Sequence, residues 1–253
     1  GTARPGQAQP YVEFMDLPLL TGDENPHAPW LSASRVPWNG PLAVFSAPQD
    51  YAYAQVAEIT RSARVGVTLT ALNTALPGRW AEQSVDVRLS SGTLESRAAL
   101  DVLNGANAAV LRHGGIGDWE VIQFRDAELV GPDTYRLSRL IRGQSGTDGT
   151  IPDVLPAGAD FVLLDGAAVQ VPLGVSALGL ERHYRVGPSA RSYDDPSYAH
   201  LTAMPAGVGL RPYAPAHFAA ERQDNGDIAL TWIRRSRIGG DSWANSDIPL
   251  GEA

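Results

Sequence analysis

Hydrophobic positions along this chain recur every second residue, in short runs separated by glycine and proline. Val85-Asp86-Val87-Arg88-Leu89 is the clearest case: its valines and leucine point one way and its charges the other, as in a half-buried strand. Earlier runs follow the same pattern. Tyr11–Leu17 precedes an acidic, proline-rich loop over 21–29, and Trp30–Ala33 and Leu42–Ser46 flank Pro37-Trp38-Asn39-Gly40-Pro41, where Asn-Gly predicts a tight turn. Tyr53–Ile59 and Val65–Ala71 read as two more strands. Beyond residue 107 the chain reads as a meander. Ala108–Arg112 turns at His113-Gly114-Gly115 into Trp119–Phe124, and Ala127–Val130 turns at Gly131-Pro132-Asp133 into Thr134–Ile141. In that last run Tyr135 and Leu137 share a phase that Leu140 breaks, so a β-bulge near Ser138-Arg139 is expected. One helix is predicted, Arg97–Leu103. Ser96 would cap it, Leu100 and Leu103 would share its buried face, and Asn104-Gly105 would end it. The fold class expected is mainly β: an antiparallel β-sandwich or barrel domain with one short helix.

The C-terminal pattern differs. His217–Arg222 and Asp227–Ile233 alternate on either side of Gln223-Asp224-Asn225-Gly226, a strong hairpin signal. With Trp232 late in the second strand, this resembles the start of a fibronectin type III-like sandwich. Such a domain needs about 90–100 residues, so it would be incomplete here. The expected organisation is therefore 1–40 as linker and connecting strands to preceding domains, 41–211 as a β-rich domain, and 212–253 as an incomplete fibronectin type III-like hairpin region. Thr2–Pro10 reads as a linker, and the chain is expected to be a segment of a longer polypeptide.

Composition narrows the function classes. The 253 residues contain no cysteine, which removes structural disulfides, thiolate metal sites and cysteine nucleophiles. All 20 basic residues are arginine, which pairs and stacks better at interfaces than lysine. A net charge of -8 argues against specific nucleic-acid binding. No apolar run is long enough for a transmembrane segment.

Tests for catalytic chemistry return little. His27, His113, His183, His200 and His217 are scattered, with no i, i+4 pair to announce a metal site. Gly143-Gln144-Ser145-Gly146-Thr147 and Gly174–Gly179 both miss the Gly-x-Ser-x-Gly elbow of a serine nucleophile. Asp118/Glu120, Asp126/Glu128 and Asp194/Asp195 could supply the two carboxylates of a glycosidase, but single strand faces and surface pairs are commonly solvated. The Gly114–Gly117 stretch precedes a strand instead of the helix a phosphate loop needs. No catalytic residue, cofactor site or metal site is expected. Residues expected to touch a subunit or ligand are Trp38, from its turn, Arg139 and Arg142 along the bulged strand, and Arg234 and Arg235 leaving the last one.

The passage that carries most information is Tyr135–Gly149, a strand with three arginines that stops at Arg142-Gly143-Gln144-Ser145-Gly146-Thr147 and is followed by a second strand at Ala157-Gly158-Ala159. This resembles the strand, Arg-Gly-x-x-Gly-Thr turn, spacer and Gly-Ala strand of tail-tip proteins from long-tailed phages and gene transfer agents. Three further passages resemble that family and fall in its order. They are Ser91–Leu94 leading into Leu103–Ala108; Trp119–Phe124 with Ala127–Leu129; and Ile228–Trp232 followed by Arg234-Arg235 and Gly240–Trp243. The spacer departs from the family: Ile151–Pro156 stands where many relatives hold a histidine.

The resemblance implies a C-terminal-side segment of a tail-tip (baseplate hub, or host-specificity) protein, a virion component of the phage tail. Its glycosidase-like TIM barrel would lie outside this chain, so the segment itself is expected not to be an enzyme. The implied role is structural: closing the tail channel and contacting or penetrating the host envelope. Implied partners are two further copies in a homotrimer and other tail and baseplate proteins. The implied location is the tail tip of a virion-like particle assembled in the producing cell's cytoplasm. The alternative expectation is a carbohydrate-binding or adhesion module that recognises cell-surface glycans.

Overall fold

A computed structural model describes residues 8–114 and 118–236. The chain is mainly β, with 44% strand and 7% helix, as the alternation predicts. In chain order the elements are β1 (Tyr11–Met15), β2 (Trp30–Ser34), β3 (Leu42–Ala47), β4 (Ala54–Ile59), β5 (Val65–Thr68), β6 (Leu72–Asn73), β7 (Trp80–Leu89), α1 (Ala99–Leu103), β8 (Ala108–Arg112), β9 (Trp119–Gly131) and β10 (Thr134–Gln144). After these come β11 (Val154–Leu155), β12 (Asp160–Leu163), β13 (Val169–Gln170), β14 (Arg182–Pro188), β15 (Ala199–Ala203), β16 (Ala216–Arg222) and β17 (Ile228–Ile233).

Six strands close an antiparallel barrel in the order β10-β7-β5-β12-β8-β9. Closure removes the unpaired edges that an open sheet would expose. Val85, Val87, Leu111, Ile122, Phe124, Leu137, Leu140 and Phe161 fill the interior. The expected phase break in β10 lies at the expected place. Its register with β7 shifts between Ser138 and Leu140, and Arg139 takes a φ of 52°. Tyr135, Leu137 and Leu140 can then all join the interior cluster.

Part of the barrel is buried on its outer face too. Val65, Val110, Trp119, Val121 and Val162 point outward and pack beneath Met15 and Leu17. Trp119–Phe124 is accordingly buried at every position, because both faces of that stretch are covered, and its two polar members, Glu120 and Gln123, are hydrogen-bonded. On the other side of β1–β2–β13 lies the four-stranded sheet β15-β14-β3-β4, with Phe14, Leu31, Ala33, Val44, Tyr184 and Val186 between the two sheets. The protein is thus layered: barrel, then β1–β2–β13, then the four-stranded sheet.

Two local expectations are corrected. The strands expected to connect outward from 1–40 form the middle layer: Phe14 faces one core and Met15 the other, so the packed body begins well before Pro41. Asp16 fastens this layer, its buried carboxylate accepting from the backbone N–H groups of Ala206 (2.6 Å), Gly207 (3.0 Å) and Val208 (2.9 Å). The helix is shorter than expected. It spans Ala99–Leu103, without a side-chain cap, because the Ser96 hydroxyl accepts from the Ala127 N–H at 2.9 Å and Arg97 donates its N–H to Arg125. Residues 96–97 therefore dock on β9 instead of starting a helix. Val102 is the buried helical residue, while Leu100 and Leu103 are exposed.

The C-terminal hairpin forms as Asn225-Gly226 predicts, with β16 and β17 antiparallel and Gly226 at φ 91°. Among the described residues no second sheet covers it. Phe218, Leu230 and Trp232 are each at least half exposed. The expected Gly240–Trp243 resemblance and most of the Gly114–Gly117 turn fall outside the described residues.

Candidate functional site

The Arg142–Thr147 turn is where the barrel meets the chain leading to the C-terminal hairpin, and each position of the motif has an assignable structural task. Arg142 lies near the end of the bulged strand β10, its side chain wholly buried. Its Nη2 donates to Glu120 Oε2 at 2.6 Å and its Nε to Glu120 Oε1, and Nη1 donates to the Asn73 carbonyl at 2.9 Å. Glu120 is also fully buried, and its Oε1 accepts a further bond from the Gly143 N–H at 3.1 Å. The pair is therefore satisfied at both ends, the condition under which two ions can be kept in a core.

Gly143 has φ 63°, and a Cβ there would stand 2.7 Å from the Asp148 Cα, so backbone conformation and space both demand glycine. Gly146, at φ 81°, lies against the Tyr213 ring, where a Cβ would come within 2.4 Å. Thr147 closes the turn: its hydroxyl donates to the Gln144 carbonyl at 2.7 Å and accepts from the Val121 N–H at 3.0 Å, tying the turn to β9. The two positions the pattern leaves open, Gln144 and Ser145, line two clefts of about 400 Å³ and 410 Å³. Among the described residues no histidine lines either cleft. The Gly-Ala strand that follows is set by Thr68, whose carbonyl accepts from the Gly158 N–H and whose hydroxyl accepts from the Ala159 N–H.

The residues expected to make contacts separate into distinct environments. Arg142 is corrected outright: a wholly buried guanidinium reaches no subunit or ligand. Trp38 is half-buried and packs against the Phe14–Tyr184 core. Arg235 pairs with Asp148 at 2.8 Å and lies over the Tyr213 ring, pinning the C-terminal segment onto the signature turn. Arg139 is half-exposed on the bulge, 3.5 Å from Asp126, and Arg234 is exposed beyond β17. In each candidate carboxylate pair one member is engaged by other groups. Glu120 is held by Arg142, Asp126 lies between Arg125 and Arg139, and Asp195 binds Arg191 and Ser197.

A second ionic cluster holds the middle layer to the barrel. Arg112 lies 3.2 Å from Glu13 and donates from Nε to Asp160 at 2.9 Å, over the Trp119 ring. Burial pushes the Glu13 carboxyl above its ordinary range, although the Tyr11 hydroxyl and Arg112 pull the other way.

The sequence reading missed one grouping. His183 on β14 and His200 on β15 are 17 positions apart, yet their rings meet with Nδ1 of His183 3.1 Å from Nε2 of His200. Asp50, from the turn after β3, comes within 3.8 Å of His200 Nε2. Only the β14–β15 and β14–β3 pairings bring these three together, so no local spacing could have signalled them.

Residues 63–162 match the family described as Rcc01698-like, C-terminal; Rcc01698 is a gene-transfer-agent-related protein of Rhodobacter. The matched span opens just ahead of β5 and ends inside β12, so it coincides with the barrel and contains the whole Arg142–Thr147 turn. A comparison with curated proteins finds no match.

Proposed function

We propose that this chain is a non-enzymatic structural segment of a phage-like tail tip, of the gene transfer agent kind. The observation that carries the proposal is the coincidence of the matched span with one closed barrel, whose signature residues serve architecture. Arg142, Gly143, Gly146 and Thr147 are each used in closing the turn, docking β9 or seating Tyr213. A signature of this sort marks a scaffold that presents other surfaces.

In this reading the barrel is a rigid plug or wall element of the hub. The C-terminal hairpin, with Phe218, Leu230 and Trp232 exposed, faces neighbouring tail components or further copies in a homotrimer. The work is mechanical: subunits hold the channel closed until contact with the envelope shifts them. Trp38, on which the glycan-binding alternative chiefly rested, is half-buried against a core, which favours the structural reading.

Particles from a producing strain, imaged with an epitope tag in the exposed turn at Asn225-Gly226, test the proposal. Density for the tag at the tail tip is expected. Tag on the head or along the tube, or particles that lack the chain, would overturn it.

A further inference from the structure

We propose that Asp50, His183 and His200 form a binding site for a divalent transition metal of the zinc, cobalt or nickel class, at one corner of the four-stranded sheet. The proposal is independent of the tail-tip reading. The three ligand atoms lie within 4.8 Å of one another and come from three different segments. Two imidazoles and one carboxylate suit these ions, which favour mixed nitrogen and oxygen ligands and can keep further positions for water.

The ring geometry defines how an ion would enter. The imidazole planes are within 9° of parallel and their centroids are 5.4 Å apart. A ring nitrogen can stand no farther from its centroid than the ring's own radius. A 3.1 Å nitrogen–nitrogen gap at that separation therefore requires both nitrogens to lie close to the line joining the centroids. The rings meet edge to edge, one nitrogen donating its N–H to the lone pair of the other. A metal cannot sit on that line, because bonds of about 2.0–2.1 Å to each nitrogen need a wider gap. It can sit beside the line, where tetrahedral geometry places neighbouring ligand atoms about 3.3–3.4 Å apart. The nitrogens are already within a few tenths of an ångström of that spacing, and His200 Nε2 to Asp50 Oδ1, at 3.8 Å, needs a modest closure. Turning each ring about its own side-chain torsion converges the lone pairs. Both histidines are at least partly exposed, so little packing opposes the turn.

The surroundings fit an outer shell. Tyr53 donates its hydroxyl to Asp50 Oδ1 at 2.6 Å, orienting the carboxylate as metal-bound carboxylates are commonly oriented. Arg185 also donates to Asp50 Oδ1, at 2.9 Å, and its positive charge opposes a cation. Arg185 is held in part by the Tyr193 carbonyl and the Tyr53 ring, so it can stay while the carboxylate turns toward the ion. Because β15 is an edge strand, a metal at this corner would clip it to β14 and to the β3–β4 turn.

The test titrates Co²⁺ and Zn²⁺ into the full chain, free of affinity tags, following visible cobalt absorption, heat and the melting temperature. The expected result is saturable binding of a single equivalent, an intense tetrahedral cobalt band, and a rise in melting temperature with Zn²⁺. His200→Ala and Asp50→Asn should each abolish or severely weaken that equivalent, while His217→Ala, far from the cluster in sequence and on the hairpin, should leave it unchanged. Circular dichroism confirms that each variant is folded. Absence of a saturable equivalent, or binding that survives His200→Ala with the same band, would overturn the proposal.

Discussion

Removing Glu120 tests the claim that the signature turn is built around a buried ion pair. Glu120→Ala leaves the Arg142 guanidinium fully buried with one partner, the Asn73 carbonyl, and leaves the Gly143 N–H without an acceptor. An uncompensated buried charge costs about 3–5 kcal/mol. The lost acceptor adds about 1–3 kcal/mol, less whatever water enters the space. For a chain of this size each kcal/mol lowers the melting temperature by about 2–4 °C, so a fall of roughly 10 °C or more is expected. The informative partner is the double variant Glu120→Leu with Arg142→Met, which removes both charges and keeps most of the volume. Its loss should be well below the sum of the two single losses, because neither ion is then stranded. Urea and thermal unfolding of the wild type, Glu120→Leu, Arg142→Met and the double variant close the cycle. The reasoning would be refuted if Glu120→Ala cost under about 1 kcal/mol, the level of an exposed pair, or if the double variant lost as much as the two singles added together.

Asp16→Ala should cost about 2–4 kcal/mol in urea unfolding, because three backbone N–H groups lose a charged acceptor in a buried setting; a loss within error of zero would mean that water replaces the carboxylate. Gly146→Ala forces a side chain into left-handed backbone and into the Tyr213 ring, at about 2–4 kcal/mol. It should also loosen the segment that Tyr213 and Arg235 hold, seen as faster tryptic cleavage after Arg211 or Arg222, and unchanged cleavage would count against that docking. Asp50 should titrate at about 2, below the ordinary 3.8, because the Tyr53 hydroxyl and then Arg185 favour its charged form. Its contribution to stability is thus fully present above pH 3.8 and lost as pH falls through about 2. Carboxyl-carbon NMR of the wild type and Tyr53→Phe reads this directly, and an ordinary value in the wild type would contradict the geometry.

Much of the fold was legible in local pattern. The alternation of Val85–Leu89 gave a strand with the correct inward face, because a period of two fixes which side chains share a side. The slip between Leu137 and Leu140 located a bulge, since a chain whose apolar phase changes must either break register or expose leucine. Asn225-Gly226 located the hairpin, because few other residue pairs accept the backbone such a turn needs. The helix was misjudged at its start because Ser96 is a good cap in isolation, and nothing local announces that Ala127, 31 positions away, will take its hydroxyl.

The sequence by itself determined the strand content, the turns, the phase break in β10 and the glycines of the signature, since each depends on conformational limits or periodicity within a few residues. The tertiary structure decided which faces are covered and which charges meet. Strand pairing turned residues 11–34 into a middle layer, sank Arg142 onto Glu120, folded Trp38 against a core, and set His183 beside His200 and Asp50. Burial and electrostatic partnership are properties of distance in space, and in an antiparallel fold with long-range pairings that distance is not written in the spacing along the chain.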